Sequence, residues 1–472
     1  MQEIEIEQEP ELRRGLKNRH VQFIALGFII DSGYFLGNSY AISQAGPASI
    51  VGYLLGGMIV MLVMLCYREL MLYKPVTGSF ITYAKELISP TWACGIGWCY
   101  WVQCVTPSEP IAAGIIMNVF VPQVGAVWWA VFFCLLVTIL NMFRVETFGE
   151  TEFWLSIAKI GAIILFSVVA ALIAVGWIGN AGYIGSTILM GNGGFAPNGW
   201  FSVLLVMLIV LGNYQGAETI GLTAGESIDP EKSLPRAVKN VTRTIVSLYT
   251  IPVLLLVVIL PWDKVAGSEN AFGAALAANG FGWLGGALSV IVLSAALSAS
   301  NSDMFACTRL LYSLQKEGFA PKFLGKLNRQ HVPHNAALVS IVVSWFVLFL
   351  YAIDRTGMFY EHLILLSGFA GEVVWITICV SQLRFRKRFL AQGGKLVDIS
   401  HSTPYFPYLT WFAIIIQLVC IAAMMFSEEM RTTLWIGVPA IVIPAGIYYA
   451  NSKGVWTRIW QLINQSTNVT DP

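Results

Sequence analysis

Long apolar stretches separated by short polar segments dominate the chain. A helix that crosses the hydrocarbon core of a bilayer needs about 20 apolar residues. Twelve stretches approach this length, near residues 21–43, 47–67, 92–119, 126–143, 153–176, 200–222, 242–260, 284–313, 336–353, 358–383, 408–426 and 433–450. The pattern predicts an all-α integral membrane protein with twelve transmembrane helices.

The positions of the basic residues test this number of helices. Loops on the cytoplasmic side of a membrane are enriched in Lys and Arg. If the N-terminus lies inside, 24 of the 28 Lys and Arg residues fall in inner loops, tails and helix ends. Three, Lys264, Arg355 and Arg431, fall in outer loops. Because one missed helix would invert every later loop, the asymmetry favours twelve helices with both termini in the cytoplasm.

Composition agrees with a multi-pass protein of the cell inner (cytoplasmic) membrane. Charged residues make up 12% of the chain, against about 25% in soluble domains, and the mean hydropathy is +0.69. A net charge of +1 gives no indication of a nucleic-acid partner. The eight Cys residues lie in apolar runs without disulfide or metal-site spacing. Since no nucleophile is paired with a base, we expect no enzyme activity, cofactor or metal.

Two of the predicted helices are interrupted by glycine and polar residues. The first contains Gly27-Phe28-Ile29-Ile30-Asp31-Ser32-Gly33, and the sixth contains Gly212-Asn213-Tyr214-Gln215-Gly216. Broken helices at matching positions of two halves mark the binding site in many transporters. The alternative is that the glycines only allow close helix packing.

Several short motifs occur in a fixed order along the chain. They include Ala45-Gly46-Pro47, Pro75-Val76-Thr77-Gly78-Ser79-Phe80, Gln215-Gly216-Ala217-Glu218, Asp229-Pro230-Glu231-Lys232 and Arg384-Phe385-Arg386. Together they resemble the bacterial amino acid transporter family of the amino acid–polyamine–organocation superfamily, over about residues 13–455. The resemblance implies a five-plus-five inverted-repeat core with two further helices, and secondary active transport by alternating access, usually driven by protons.

This resemblance divides the chain into four parts. We expect a cytoplasmic tail at 1–20, a ten-helix transport core at 21–395, helices 11 and 12 at 396–450, and a second cytoplasmic tail at 451–472. The expected partners are an amino acid or amine, protons and the lipid bilayer. Substrate identity, symport or exchange, and oligomeric state stay open.

Ionisable residues within a membrane span are costly and therefore mark functional sites. Six stand out within the predicted spans: Asp31, Glu109, Lys159, Glu218, Asp303 and Glu372. The resemblance implies that Lys159 couples proton binding to transport, and we expect Ser302 and Asp303 of the eighth predicted helix to take part in this coupling. It also implies substrate-binding positions at the two breaks and in helix three, namely Ile30, Asp31, Ser32, Gly33, Glu109, Tyr214, Gln215, Gly216 and Glu218. Two alternatives stay open: Lys159 snorkels to the interface, and Tyr214 is a packing residue rather than a lid.

Asp31 departs from the family pattern, in which Gly-Thr-Gly usually stands where this chain has Asp31-Ser32-Gly33. A carboxylate at the break would repel the carboxylate of a ligand. Our hypothesis is that Asp31 receives an ammonium or guanidinium group, so that the substrate is a cationic amine or an amino acid in an altered pose. The alternatives are that Asp31 is protonated, points away, or pairs with Lys159.

Asp303 and Glu372 also depart from the family pattern. An Asp303–Lys159 ion pair is expected if helix eight faces Lys159, and Glu372 either extends the acidic lining or faces another helix. The predicted function is a proton-coupled permease for an amino acid or an amino-acid-derived cationic amine. The alternatives are a substrate/product exchanger of the same fold and a non-transporting, transporter-like sensor.

Overall fold

The computed structural model describes residues 18–74, 76, 78–141, 145–179, 185–221, 230–265, 270–328, 332–395, 399 and 402–453. These residues form α-helices and short 3₁₀ segments, with no strand among them. The helices of the first half are α1 (Asn18–Ile29), α2 (Ser32–Ala45), α3 (Ser49–Tyr73), α4 (Ser79–Leu87), α5 (Pro90–Val105), α6 (Ser108–Phe120), α7 (Ala126–Leu140), α8 (Val145–Ala174) and α9 (Gly185–Met190).

The second half of the chain is also helical in the described residues. Its helices are α10 (Phe201–Asn213), α11 (Pro230–Ile259), α12 (Trp262–Val265), α13 (Ala271–Ala278), α14 (Gly282–Lys316), α15 (His334–Ile353), α16 (Phe359–Ala391), α17 (Tyr408–Ala423) and α18 (Glu428–Ser452). Within the described ranges, 3₁₀ segments lie at Gly46–Ala48, Ala217–Gly221, Lys322–Gly325 and Met424–Phe426. The predicted tails, residues 1–20 and 451–472, lie almost wholly outside the described residues.

Each predicted span falls on one of these helices or on a pair of them. Within the described ranges, nine stretches are long and apolar enough to cross a membrane, and Ala25–Tyr73 covers the first two predicted spans. The third and fourth predicted spans are not among the nine, because α5–α6 is interrupted and α7 has only 15 residues. The structure is that of a multi-span membrane protein, while the number twelve and the inverted repeat stay predictions.

The third predicted span differs from the expected single helix. It divides into α5 and α6 at Thr106 and Pro107. Thr106 has an extended backbone, with φ −69° and ψ 138°. A proline disfavours helical backbone at the residue before it and has no N–H for a helical hydrogen bond. The interruption places the first turn of α6, with Glu109, against Ser32 at the start of α2.

One helix lies where the pattern indicated only a loop. Helix α4 packs on α5 and α16 and has nine residues, too few to cross a bilayer. Lys85, in its last turn, donates a hydrogen bond of 2.8 Å to Glu317 Oε2 just beyond α14. The helix therefore ties the segment after α3 to the end of α14.

The core surrounds the first and sixth predicted spans. Helix α1 packs on α8, α11 and α14, and α10 packs on α2, α3 and α16. Tyr34 of α2 stacks on Tyr249 of α11 with ring centroids 3.9 Å apart. Its hydroxyl donates to the carbonyl of Leu248 at 3.1 Å. These contacts anchor the start of α2 against α11 and fix the position of the first break.

Candidate functional site

The first predicted span is broken at two residues, Ile30 and Asp31. Helix α1 ends at Ile29 and α2 begins at Ser32. Asp31 adopts an extended backbone, and its Oδ1 accepts a hydrogen bond of 2.9 Å from the Tyr34 N–H. Asp is a favoured residue at this position because its side chain satisfies a backbone donor that the helix leaves unpaired. Asp31 is therefore the N-cap of α2.

A second carboxylate satisfies the next donors of the same helix start. Glu109 Oε2 accepts the Ser32 N–H at 3.1 Å, and Glu109 Oε1 accepts the Ser32 hydroxyl at 3.0 Å. Glu109 is 6% exposed and lies in the first turn of α6. The interruption at Pro107 thus brings Glu109, the acid of the third predicted span, onto the first turn of α2.

Lys159 of α8 binds the other side of the first break. Its ammonium donates to the carbonyls of Gly27 at 2.7 Å and Ile30 at 3.0 Å. These carbonyls lie at the C-terminal end of α1, where backbone acceptors are unpaired and the helix dipole favours a cation. Because Lys159 is fully buried, it does not snorkel to an interface. Asp31 lies within electrostatic range of its ammonium.

The sixth predicted span is broken at Tyr214, Gln215 and Gly216, between α10 and the 3₁₀ segment Ala217–Gly221. Gly216 has φ +101°, a left-handed conformation that glycine adopts without steric cost. A Cβ at Gly216 would lie 2.9 Å from side-chain atoms of Phe28 and Ile29. The two breaks are therefore in direct contact.

Glu218, the predicted acid of the sixth span, accepts a hydrogen bond from the backbone of this break. Glu218 is fully buried and accepts the Gly216 N–H at 3.2 Å. Trp375 Nε1 donates to its Oε2 at 2.9 Å, and the Tyr100 hydroxyl donates to its Oε1. Three donors from three parts of the chain thus hold Glu218 against the backbone.

The other break residues contact neighbouring helices. The Tyr214 hydroxyl donates to the carbonyl of Tyr53 at 3.0 Å, and its ring packs near Tyr249. Gln215 Nε2 donates to the carbonyl of Gly368 at 2.9 Å. Tyr214 is fully buried, which favours a packing residue over a lid in this conformation.

A cavity opens between the first break, α6, α10 and α16. It is lined by Asp31, Gly33, Ser108, Glu109, Leu208, Ile209, Gly212, Asn213, Ile364, Leu365 and Ser367. Of the predicted substrate-binding residues, Asp31, Gly33 and Glu109 line it. Ile30, Ser32, Tyr214, Gln215, Gly216 and Glu218 are not in its lining. The sequence analysis missed three polar lining residues, Ser108, Asn213 and Ser367, although Asn213 belongs to the predicted break.

The predicted coupling residues of the eighth predicted span, Ser302 and Asp303, lie in α14. Ser302 is fully buried, and its hydroxyl has no hydrogen-bond partner among the described residues. Asp303 is half-buried and lies within electrostatic range of Glu109 and Tyr100. An ion pair between Asp303 and Lys159 stays a prediction.

This arrangement has a definite chemical character. Two carboxylates, Asp31 and Glu109, hold the donors at the start of α2 and also line the cavity. The ammonium of Lys159 is directed to the end of α1, on carbonyl oxygens. The cavity thus presents acidic oxygens and amide and hydroxyl groups to whatever enters it.

Comparison with known proteins identifies the family of the chain. The family model for amino acid permeases matches residues 20–449. The chain belongs to the amino acid permease family. This permease is 36% identical to the amino-acid permease RocE of Bacillus subtilis over 451 residues, 94% of this chain and 96% of the relative.

Two further relatives cover a similar share of the permease. A putative histidine permease of Bacillus subtilis is 36% identical over 445 residues, which is 93% of this chain and 94% of the relative. The lysine-specific permease LysP of Escherichia coli is 34% identical over 447 residues, 92% of this chain and 91% of the relative. The resemblance to bacterial amino acid transporters of the amino acid–polyamine–organocation superfamily is confirmed.

Proposed function

We propose that this permease is a secondary active transporter that moves an amino acid or an amino-acid-derived cationic amine across the cytoplasmic membrane by alternating access. Membership of the amino acid permease family supports transport of amino acids. Two broken spans in contact beside a polar cavity suit a binding site that two halves of the molecule share. The proposed orientation places both termini in the cytoplasm.

We propose a cationic substrate because protein side chains already occupy backbone donors at the start of α2. A helix N-terminus attracts anions through its unpaired N–H groups. Here the N–H groups of Ser32 and Tyr34 already donate to Glu109 and Asp31. A ligand carboxylate would compete with two protein carboxylates for the same donors. Two like charges 4 Å apart repel by about 4 kcal/mol at an effective dielectric constant of 20.

A cationic ligand group meets the opposite situation. Asp31 and Glu109 line the cavity, and carboxylate oxygens form strong hydrogen bonds with ammonium or guanidinium donors. Asn213 and Ser367 add further polar side chains to the lining. The lysine-specific relative is named for a cationic amino acid, which agrees with this preference. The proposed substrate is therefore positively charged, with its cation beside Asp31.

Proton coupling is proposed at Lys159. Its ammonium bridges the carbonyls of Gly27 and Ile30, and a buried Lys changes its protonation readily. Loss of the proton would leave one lone pair and two donors on the nitrogen, so the bridge to the end of α1 would weaken. Opening of the first break is then linked to proton release.

A ligand-stabilisation screen on the purified full chain tests the substrate class. A ligand that binds the folded state raises its stability by mass action. The ligands are an amino acid and its decarboxylated amine in pairs: arginine with agmatine, ornithine with putrescine, and tyrosine with tyramine. The variant is Asp31→Asn, which removes the charge and keeps an N-cap residue. Glu361→Asn, at an exposed position of α16, is the matched control.

The proposal expects amines to stabilise the wild type more than their parent amino acids, and Asp31→Asn to reverse that order. Glu361→Asn should leave the order unchanged. If the parents stabilise more and Asp31→Asn changes nothing, the cationic site is wrong and the permease takes ordinary amino acids. Ligand binding without any flux into proteoliposomes would instead identify a non-transporting sensor.

A further inference from the structure

One buried acid lies outside the candidate site. Glu372, in the middle of α16, is fully buried, and neither of its carboxyl oxygens has a hydrogen-bond partner among the described residues. It is absent from the cavity lining, so it does not extend the acidic wall formed by Asp31 and Glu109. Buried polar groups are nearly always hydrogen-bonded, and an exception of this kind calls for an explanation.

The neighbours of Glu372 along α16 hold the break in the sixth span. The Gly368 carbonyl accepts the Gln215 amide at 2.9 Å. Gly371 packs so closely that a Cβ there would lie 2.0 Å from the Gln215 side chain. One turn further, Trp375 donates to Glu218. Glu372 thus lies within the stretch of α16 that contacts both sides of the break.

The surroundings of Glu372 offer no charge to balance a carboxylate. The titratable group that faces it from α17 is the Cys420 thiol. No charged side chain of the described residues acts on it from the other helices packed against α16. An ionised carboxylate without donors or a counterion costs several kcal/mol in a dry interior. In this conformation Glu372 is therefore the neutral acid, carrying its proton.

We propose that Glu372 is a second proton-binding group of the transport cycle. When α16 moves away from the break at Gln215, water reaches the carboxyl group, its O–H bond breaks, and the proton passes to water. The carboxylate left behind is then solvated by that water. When the helices pack together again, the carboxylate takes a proton back from water. This inference rests on the proposed transport by alternating access and adds a proton site to Lys159.

The test uses the purified full chain in proteoliposomes with Glu372→Gln, which keeps the shape and removes the titration. Ligand exchange without a pH gradient measures transport alone. Accumulation under an imposed gradient of one pH unit measures coupling, since each coupled proton contributes about 1.4 kcal/mol, or about tenfold accumulation. Glu361→Gln, an exposed acid on the same helix, is the matched control.

The expected result is that Glu372→Gln retains exchange and accumulates about tenfold less ligand than the wild type under that gradient. Glu361→Gln should match the wild type in both measurements. Equal accumulation by Glu372→Gln and the wild type overturns the proposal. A wild type that exchanges ligand without responding to the gradient also overturns it and leaves the proposed transport intact. If the wild type shows no ligand exchange, the proposed transport function itself is wrong.

Infrared difference spectroscopy decides the case in which Glu372→Gln does not fold. A buried protonated carboxyl group has a characteristic C=O stretching band. Glu372→Asp keeps a carboxyl group but shifts its band, which identifies the band of this residue. If this shifted band changes in intensity when arginine or agmatine is added, Glu372 exchanges its proton during ligand binding. A band that Glu372→Asp shifts and that no ligand changes shows a permanently neutral acid, and the proposal fails.

Discussion

Arg386 donates two parallel hydrogen bonds to Glu69, from Nε to Oε1 and from Nη2 to Oε2, each 2.6 Å long. This pair joins α16 to α3. Glu69 is 1% exposed and Arg386 3%. The backbone N–H and the hydroxyl of Thr403 each donate to Glu69 Oε2 at 2.9 Å. A bidentate pair with its remaining acceptor sites filled is the geometry in which a buried ion pair repays its desolvation.

Removal of one member of this pair should destabilise the permease strongly. Glu69→Gln leaves the guanidinium of Arg386 buried without its counterion, which costs about 3–5 kcal/mol. The loss is measured as a lower unfolding temperature of the purified protein. Lys74→Gln is the matched control, because Lys74 pairs with Glu86 where the two side chains are 47% and 44% exposed. Such an exposed pair contributes about 1 kcal/mol or less. Equal shifts for the two variants would refute this ranking.

Gly216→Ala should damage the contact between the two breaks. The new Cβ would lie 2.9 Å from Phe28 and Ile29, and a left-handed backbone costs a non-glycine residue about 1–2 kcal/mol. We expect a lower unfolding temperature and reduced ligand flux. Gly161→Ala is the control, since nothing lies within 4 Å of a Cβ there and helical Ala is favoured over Gly by about 1 kcal/mol. Wild-type flux in Gly216→Ala would show that the close approach is dispensable.

Lys159→Met should separate binding from coupling. The variant keeps an unbranched apolar side chain and loses the hydrogen bonds to Gly27 and Ile30, each worth about 1.5–3 kcal/mol when the donor is charged. Accumulation driven by a gradient of one pH unit should fall about tenfold, the contribution of one coupled proton, while exchange of ligand persists at a reduced rate. Lys264→Met, at an exposed position, should behave as the wild type. Accumulation by Lys159→Met equal to that of the wild type would exclude Lys159 as a coupling group.

Replacing Asp31, the N-cap of α2, should lower the stability of the permease even without a ligand. Asp31→Ala removes the acceptor for the Tyr34 N–H and should cost about 0.5–2 kcal/mol. Asp31→Asn should cost less, because Asn also caps. Ser89→Ala removes the same kind of cap from α5, where Ser89 accepts the Trp92 N–H at 3.1 Å. Both alanine variants should lower the unfolding temperature similarly, but Asp31→Ala alone should alter ligand preference. Unchanged ligand preference in Asp31→Ala would assign Asp31 a capping role only.

The sequence was sufficient to locate the breaks, because glycine and polar residues interrupt apolar runs only at a few places. The predicted interruption at 27–33 contains the observed break at Ile30 and Asp31. The one at 212–216 contains the observed break at Tyr214, Gln215 and Gly216. Local chemistry also indicates the cap, since Asp before a helix is a standard N-cap residue. The sequence interpretation considered only ligand, protonation and ion-pair roles for Asp31, and so missed this one.

The partners of the buried acids were beyond sequence reasoning. Glu218 takes its donors from Tyr100 and Trp375, which are 118 and 157 positions away along the chain. Such pairs follow from helix packing, which periodicity does not specify. Helix α4 was missed for a different reason, because its nine residues are too few for an apolar run of membrane length. Ser108 and Ser367 line the cavity without any local signal that separates them from other serines.

The capped start of α2 bears on the half of a transport cycle in which nothing is carried. A carrier whose helix start depends on its cargo would face unpaired backbone donors each time the cargo leaves, and the return of the vacant protein would be slow. In this permease the N–H groups of Ser32 and Tyr34 donate to Glu109 and Asp31, which belong to the protein and not to the cargo. Under the proposed alternating access, the reorientation of the vacant protein therefore leaves these two donors paired. The proposed transport cycle is then compatible with net uptake as well as with one-for-one exchange.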